Sequence, residues 1–215
     1  MFDLTGKTAL VTGATGGIGA AIARTFHKAG ASVAISGRQV EKLEALKAEL
    51  GGERVQVVPC DLGDRAQVQK LIDEATKGLG GRLDILIEPI NTFDMPGYFL
   101  TRTADAASVI ATVGAPELAL QLDLYHRARM EGAVADAIAE FSALARHYQI
   151  AGLPDRGEPW PSDLDYAPLL HQLAATGYDG WIGCEYRPRN GTAPGLGWLD
   201  RLSPCLAREA STSGA

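Results

Sequence analysis

Glu88, Asp123, Gln149 and Glu185 each close a short apolar or β-branched run, and gaps of 35, 26 and 36 residues separate them. The runs Leu83–Ile87, Leu118–Leu122, His147–Ile150 and Trp181–Cys184 have the length and make-up of buried strands. One helical crossover fits each gap, so the strands would be parallel and their carboxyl ends would share a face. Three carboxylates and an amide oxygen would then converge. Such a hard, oxygen-rich set suits Mg²⁺ or Mn²⁺ rather than a soft metal. Acids at strand ends serve equally well as caps for the helices that follow. Spacing alone leaves both readings open.

A second cluster sits near the start of the chain. Thr8–Thr12 runs into Gly13-Ala14-Thr15-Gly16-Gly17-Ile18-Gly19 and then into a helical pattern. A glycine-rich turn between strand and helix lets backbone N–H groups and the positive helix end approach a pyrophosphate. The spacing Gly13-x-x-x-Gly17-x-Gly19 differs from the GxGxxG fingerprint but has the strand–turn–helix setting that the chemistry requires. After the second strand comes Ser36-Gly37-Arg38, and a guanidinium there suits the 2′-phosphate of NADP. A solvated surface charge is the alternative for Arg38.

The elements that would position these groups alternate strand and helix. Strands are expected at Thr8–Thr12, Ser32–Ser36 and Val55–Val58 as well as at the four runs above, seven in all. Between them, Ile18, Ile22 and Phe26 share a helical face that Gly30 closes. Val40, Leu43, Leu46 and Leu50 form a second face, and Val68, Leu71, Ile72 and Ala75 a third. Val109, Ile110 and Val113 precede Gly114. Val134, Ile138, Phe141 and Ala145 predict a fifth helix. Ser162 with Asp165 is a capping box for a sixth, which carries Leu169, Leu170 and Leu173. The expected fold class is therefore α/β, with about seven parallel βα units.

The composition changes abruptly along this series. All six lysines fall within the first 77 residues, while all three tryptophans, all six tyrosines and ten of the eleven prolines follow residue 87. The switch of so many residue types at one point predicts two joined pieces, 1–87 and 88–205, with a disordered tail over 206–215. A net charge of −6 and a pI near 5.2 argue against nucleic-acid or anionic-membrane partners. No apolar run reaches the roughly 18 residues of a membrane helix, and the N-terminus lacks a secretion-signal pattern. Three cysteines without metal-ligand spacing read as reduced thiols in a cytoplasm. His27, His147 and His171 read as structural, and Trp181 and Trp198 as core.

The opening Leu4-Thr5-Gly6-Lys7-Thr8-Ala9-Leu10-Val11-Thr12-Gly13 resembles the short-chain dehydrogenase/reductases, in particular 3-oxoacyl-acyl-carrier-protein reductases, over residues 1–87. That resemblance implies that Gly13, Thr15, Gly17, Ile18 and Gly19 face the phosphates of NADP, with Asp61 at the adenine. It stops where Leu83-Asp84-Ile85-Leu86-Ile87 continues as Glu88-Pro89-Ile90-Asn91 instead of Asn-Asn-Ala-Gly. The family's Tyr-x-x-x-Lys pair is also missing, since no lysine follows Lys77. Reductase activity is not expected.

Residues 86–202, through Gly195-Leu196-Gly197-Trp198, resemble the C-terminal half of hydroxypyruvate isomerases, which are xylose-isomerase-like (β/α)₈ barrels. The resemblance implies a divalent metal held by Glu88, Asp123, Gln149 and Glu185, with Glu88 and Glu185 as the acid–base pair. His126, Arg156 and Asp94 would bind a small-molecule substrate of the hydroxypyruvate type. The expected whole is a Rossmann-like N-terminal half fused to half of a barrel, a chimera whose self-association as a homo-oligomer is left open. Two other readings remain: an NADP-binding reductase derivative without its catalytic pair, and an inactive fold-recombination chimera.

Overall fold

A computed structural model of the chain describes residues 3–80 and 83–206. The chain divides into two compact units, Met1–Leu83 and Asp84–Ala215. Each unit holds one parallel sheet.

The first unit runs β1 (Thr8–Val11), α1 (Gly17–Lys28), β2 (Ser32–Gly37), α2 (Val40–Glu49), β3 (Val55–Pro59) and α3 (Arg65–Gly78). Its strands lie in the order β1-β2-β3, all parallel. Ala23 of α1 and Leu43 and Leu46 of α2 pack with Val11, Val33, Ile35 and Val55. Leu71 and Ala75 of α3 pack with Ala34, Val58 and Cys60, which point the other way from the strands. Helices thus cover both faces, and Val33, Ala34 and Ile35 form an unbroken buried run where a one-sided sheet would alternate. Asp64 starts α3 by accepting the N–H groups of Ala66 and Gln67.

The stripe expected to bury α1 does not do so. Ile18, Ile22 and Phe26 are 81%, 39% and 36% exposed, and the fully buried residue of α1 is Ala23. Alanine lets the helix lie close to the sheet, and among the described residues of the unit no strand lies beyond β1 on which the larger stripe could rest. Gly30 follows the C-cap Ala29 with a left-handed φ of 104°, as a helix end requires.

The second unit runs β4 (Ile85–Ile87), α4 (Thr103–Val113), β5 (Leu118–Asp123), α5 (Leu124–Met130), α6 (Val134–Phe141), β6 (Ala145–Ile150), α7 (Tyr166–Ala175), β7 (Ile182–Cys184) and α8 (Trp198–Leu202). The strands are parallel and consecutive, β4-β5-β6-β7. A single core gathers Ile110, Leu120, Leu122, Ile138, Phe141, Tyr148, Leu170, Leu173, Trp198 and Leu202 on one face of this sheet. The alternate residues of the strands, Gln121, Asp123, His147 and Gln149, point to the opposite face. Leu120 is fully buried in that core, so Leu120→Ala should lower unfolding stability by about 2–5 kcal/mol, read as a lower urea midpoint at unchanged m-value.

Local details depart from expectation where tertiary contacts decide. Ala145 opens β6 rather than ending a helix, and Val109 and Val113 are exposed. The cap of α7 is Asp165 itself, whose carboxylate accepts from Ala167 N–H, while the hydroxyl of Ser162 accepts from Leu153 and Leu164. Trp181, expected in the core, is 59% exposed at the start of β7, whereas Trp198 is buried. The three thiols are free. The expected tail lies outside the described residues except for Leu206, which ends a short 3-10 turn (Ser203–Leu206). Among the described residues, no helix is long and apolar enough to cross a membrane.

Candidate metal centre and active site

The register of the second sheet brings its polar residues together. Asp123 pairs with Gln149 across β5 and β6, and Gln149 pairs with Gly183 across β6 and β7. Glu88 follows the last residue of β4, and Glu185 follows the last residue of β7. All four residues therefore stand at the carboxyl ends of parallel strands.

Asp123 is 2% exposed, and its two carboxylate oxygens differ in what they meet. Its Oδ1 caps α5 by accepting the N–H groups of Tyr125 and His126 at 2.8 and 3.3 Å. Its Oδ2 is buried without a hydrogen-bond partner, and so is Oε1 of Glu88. The Nε2 of His126 lies 3.9 Å from that Glu88 oxygen and 3.8 Å from that Asp123 oxygen. One ligand atom from each of Glu88, Asp123 and His126 falls within 4.8 Å of the others, so the three could hold a cation.

Burial, reinforced by the charges of Asp123 and Glu185, raises the Glu88 carboxyl to about 7. Burial likewise raises Asp123 to about 6, against the lowering effect of the two N–H groups that it caps. His126 is pushed down to about 4, first by burial and then by the Arg156 charge. Two buried acids with no donor on their inner oxygens and a neutral imidazole suit a small hard cation or a polar ligand.

Gln149 and Glu185 join this cluster through hydrogen bonds from side-chain amides. Gln121 Nε2 donates to Glu88 Oε2 at 2.7 Å and to Gln149 Oε1 at 2.6 Å. Gln149 Nε2 then donates to Glu185 Oε2 at 3.0 Å. Arg156 holds the other oxygen of Glu185 at 2.8 Å, and its guanidinium lies 5.5 Å from the Tyr125 ring centroid. It stands in the loop after β6, with a left-handed φ of 58°. The loop is pinched by a Gly152–Gly157 bridge and anchored by Tyr166, whose hydroxyl donates to the Ala151 carbonyl at 2.7 Å.

Asp94 lies beside these groups with its Oδ2 occupied. Tyr125 Oη donates to that oxygen at 2.7 Å and Asn91 Nδ2 at 3.1 Å. Burial pushes its carboxyl up, but the two hydrogen bonds and the Arg129 charge outweigh it and hold it below the usual range. Gln121 and Tyr125 did not stand out in the sequence, and Asn91 did so only where the reductase pattern ends. Gln121 was detectable, being two residues before Asp123 and thus on the same strand face.

In the first unit, the residues expected at a dinucleotide gather at the carboxyl end of the sheet. Ala14 N–H donates to the Ser36 carbonyl at 2.9 Å, and a Cβ on Gly37 would lie 3.0 Å from the Thr15 side chain. A Cβ on Gly19 would run into the carbonyl of Gly13, so only glycine allows α1 to start this close to the turn. No side chain caps α1. Arg38 and Ile18 are exposed there, and Asp61 Oδ1 accepts the N–H of Gly63 at 3.0 Å.

Comparison with known proteins follows the same division. The short chain dehydrogenase family model matches residues 7–91. Solved structures similar to the chain include TIM-barrel-like ones. Among them is an AP endonuclease, family 2, from Brucella melitensis, with a TM-score of 0.57, 30% identity, and coverage of 86% of this chain and 66% of that one. A 2-oxo-tetronate isomerase of Cupriavidus necator is 45% identical over 74% of this chain and 63% of its own. A putative hydroxypyruvate isomerase of Xenopus laevis is 36% identical over 83% of this chain and 73% of its own. The chain belongs to the hydroxypyruvate isomerase family. It spans less than two thirds of the Cupriavidus protein and about half of several other hydroxypyruvate isomerase relatives.

Proposed function

We propose that the chain is a metal-dependent isomerase that interconverts hydroxypyruvate and 2-hydroxy-3-oxopropanoate. The observation that carries this reading is the pair of buried, unpartnered carboxylate oxygens, Glu88 Oε1 and Asp123 Oδ2, facing the same small space. Buried acceptors without donors are costly unless a ligand satisfies them. Glu88, Asp123, Gln149 and Glu185 would hold Mg²⁺ or Mn²⁺, which when bound polarises the substrate carbonyl and offsets negative charge on its oxygens. One of Glu88 and Glu185 removes the proton beside the carbonyl, and the other returns it at the neighbouring carbon. Arg156 and His126 hold substrate oxygens, and Asp94 orients Tyr125 and Asn91 at the edge of the site. Calorimetric titration of the metal-free chain with Mn²⁺ should show one binding site, and hydroxypyruvate in D₂O should gain deuterium at C3. Absence of both signals would reject the reading.

The close approach of Gly19 to Gly13, with Arg38 at the end of the neighbouring strand, favours a second property. Residues 1–87 would be a short-chain-dehydrogenase piece joined to the isomerase half, retaining an NADP cradle without the Tyr-x-x-x-Lys chemistry. NADPH should then gain fluorescence on titration with the chain. Gly17→Trp, which places a bulky ring over the turn, should abolish that gain and leave Mn²⁺ binding intact.

A further inference from the structure

We infer that Asn91 locks His126 in the tautomer that carries its proton on Nε2, so that the ring offers the site a hydrogen-bond donor rather than a metal-binding lone pair. The isomerase reading above supplies the consequence for catalysis; the tautomer itself stands on the hydrogen bonds alone.

Asn91 is fully buried, and its amide can be oriented in only one way. Its Oδ1 accepts the backbone N–H of Asp94 at 2.8 Å, which identifies the other terminal atom as Nδ2. That nitrogen carries two hydrogens. One is donated to Asp94 Oδ2 at 3.1 Å, an oxygen that also accepts from the Tyr125 hydroxyl. The other points at His126 Nδ1, 2.6 Å away. The backbone N–H of Asn91 is directed at the same ring nitrogen from 3.4 Å. Facing two N–H donors, Nδ1 must present its lone pair, and a proton there would collide with both. A neutral imidazole has one proton, so Nε2 carries it.

Nε2 is the ring atom turned toward Glu88 and Asp123, at 3.9 and 3.8 Å. Those distances are too long for hydrogen bonds and leave room for an atom between. The geometric triad of Glu88, Asp123 and His126 is therefore not a ligand triad: two members offer oxygens and the third offers N–H. A donor at that place suits a substrate oxygen on which negative charge grows as the adjacent C–H proton leaves. Asn91 touches neither substrate nor metal in this scheme. It is a positioning residue, held in place by Asp94, which Tyr125 in turn anchors.

The test is the ¹⁵N spectrum of histidine-labelled, metal-free protein at pH 8, with the His126 signals assigned by their loss in His126→Gln. The wild-type ring should show a pyridine-type Nδ1 and a protonated Nε2. Asn91→Asp replaces the donor by an acceptor, so Nδ1 should become protonated. In the same variant kcat for hydroxypyruvate should fall about 10- to 100-fold while KM changes little. A protonated Nδ1 in the wild-type spectrum overturns the inference even if the variant does not fold. An unchanged ring spectrum or unchanged kcat in a folded Asn91→Asp overturns it as well. Wild-type protein without isomerase activity would instead defeat the proposed function, and the spectrum would still decide the tautomer.

Discussion

Glu88→Gln should slow isomerisation about 10²- to 10⁴-fold and at the same time raise the melting temperature of the metal-free protein at pH 8. The two effects share one cause. Glu88 has a buried oxygen with no donor and lies against Asp123 and within the field of Glu185. Its carboxyl is raised from 4.5 to about 7. Below pH 4.5 the group is protonated in both folded and unfolded chains, and it imposes no penalty. Above pH 7 both states are ionised, and the folded state alone bears the charge in a poorly solvated place. Stability should therefore fall as pH rises through this window, and Asp123, raised to about 6, adds to the slope. A neutral amide at position 88 removes the larger part, with a gain of about 1–3 kcal/mol at pH 8 after allowance for partial solvation. Melting curves in EDTA at pH 4.5 and pH 8 should show the gain only at the higher pH. Added Mn²⁺ should reverse the ranking, stabilising the wild type far more than the variant. A Glu88→Gln protein that melts below wild type at pH 8 without metal would show that the charge is accommodated by the fold.

That opposition between stability and activity was only half legible in the sequence. The strand–helix alternation and the placing of four polar residues at strand ends follow from periodicity, because a buried parallel strand is a continuous apolar run that any polar residue interrupts visibly. The capping role of Asp123 and its place among the site residues were both readable, but nothing local shows that one carboxylate can do both by dividing its oxygens. Helix α5 went unseen because its seven residues, Leu124–Met130, include two arginines and a histidine, and it is held by the cap and by burial of Leu124, Tyr125 and His126 rather than by a long apolar stripe. Asn91 stood out only as a departure from the reductase pattern. Its function is set by a partner 35 residues away, and sequence spacing carries no record of such a bond. Ile18, Ile22 and Phe26 erred in the other direction: their helical spacing is right, but a three-stranded sheet gives that stripe nothing to cover.

Gly152→Ala should be the most damaging change outside the carboxylates. A Cβ at Gly152 would strike the carbonyl of Glu158 on the opposite arm of the loop, and it would lie 3.0 Å from that residue's carbonyl carbon and 3.2 Å from that of Gly157. These are backbone atoms, so relief requires the arms to part and the Gly152 N–H bond to the Gly157 carbonyl, 2.8 Å, to break. Overpacking of this kind costs about 1–3 kcal/mol. Arg156 lies between the arms, and parting them pulls its guanidinium from Glu185. A displacement near 1 Å of such a positioning group lowers turnover by about 10²-fold. Gly157→Ala is the control within the same loop. There the added Cβ meets chiefly the end of the Arg189 side chain, at 2.7 and 2.8 Å, a flexible group rather than backbone, whose shift loosens its ion pairs with the exposed Asp155 and the buried Glu158. Its melting temperature should fall less than that of Gly152→Ala, and its kcat should stay near wild type because the Gly152–Gly157 backbone bond is kept. The pair separates geometry from composition: equal losses in both variants, or none in Gly152→Ala, would mean that the loop does not hold Arg156 against Glu185 through its pinched backbone.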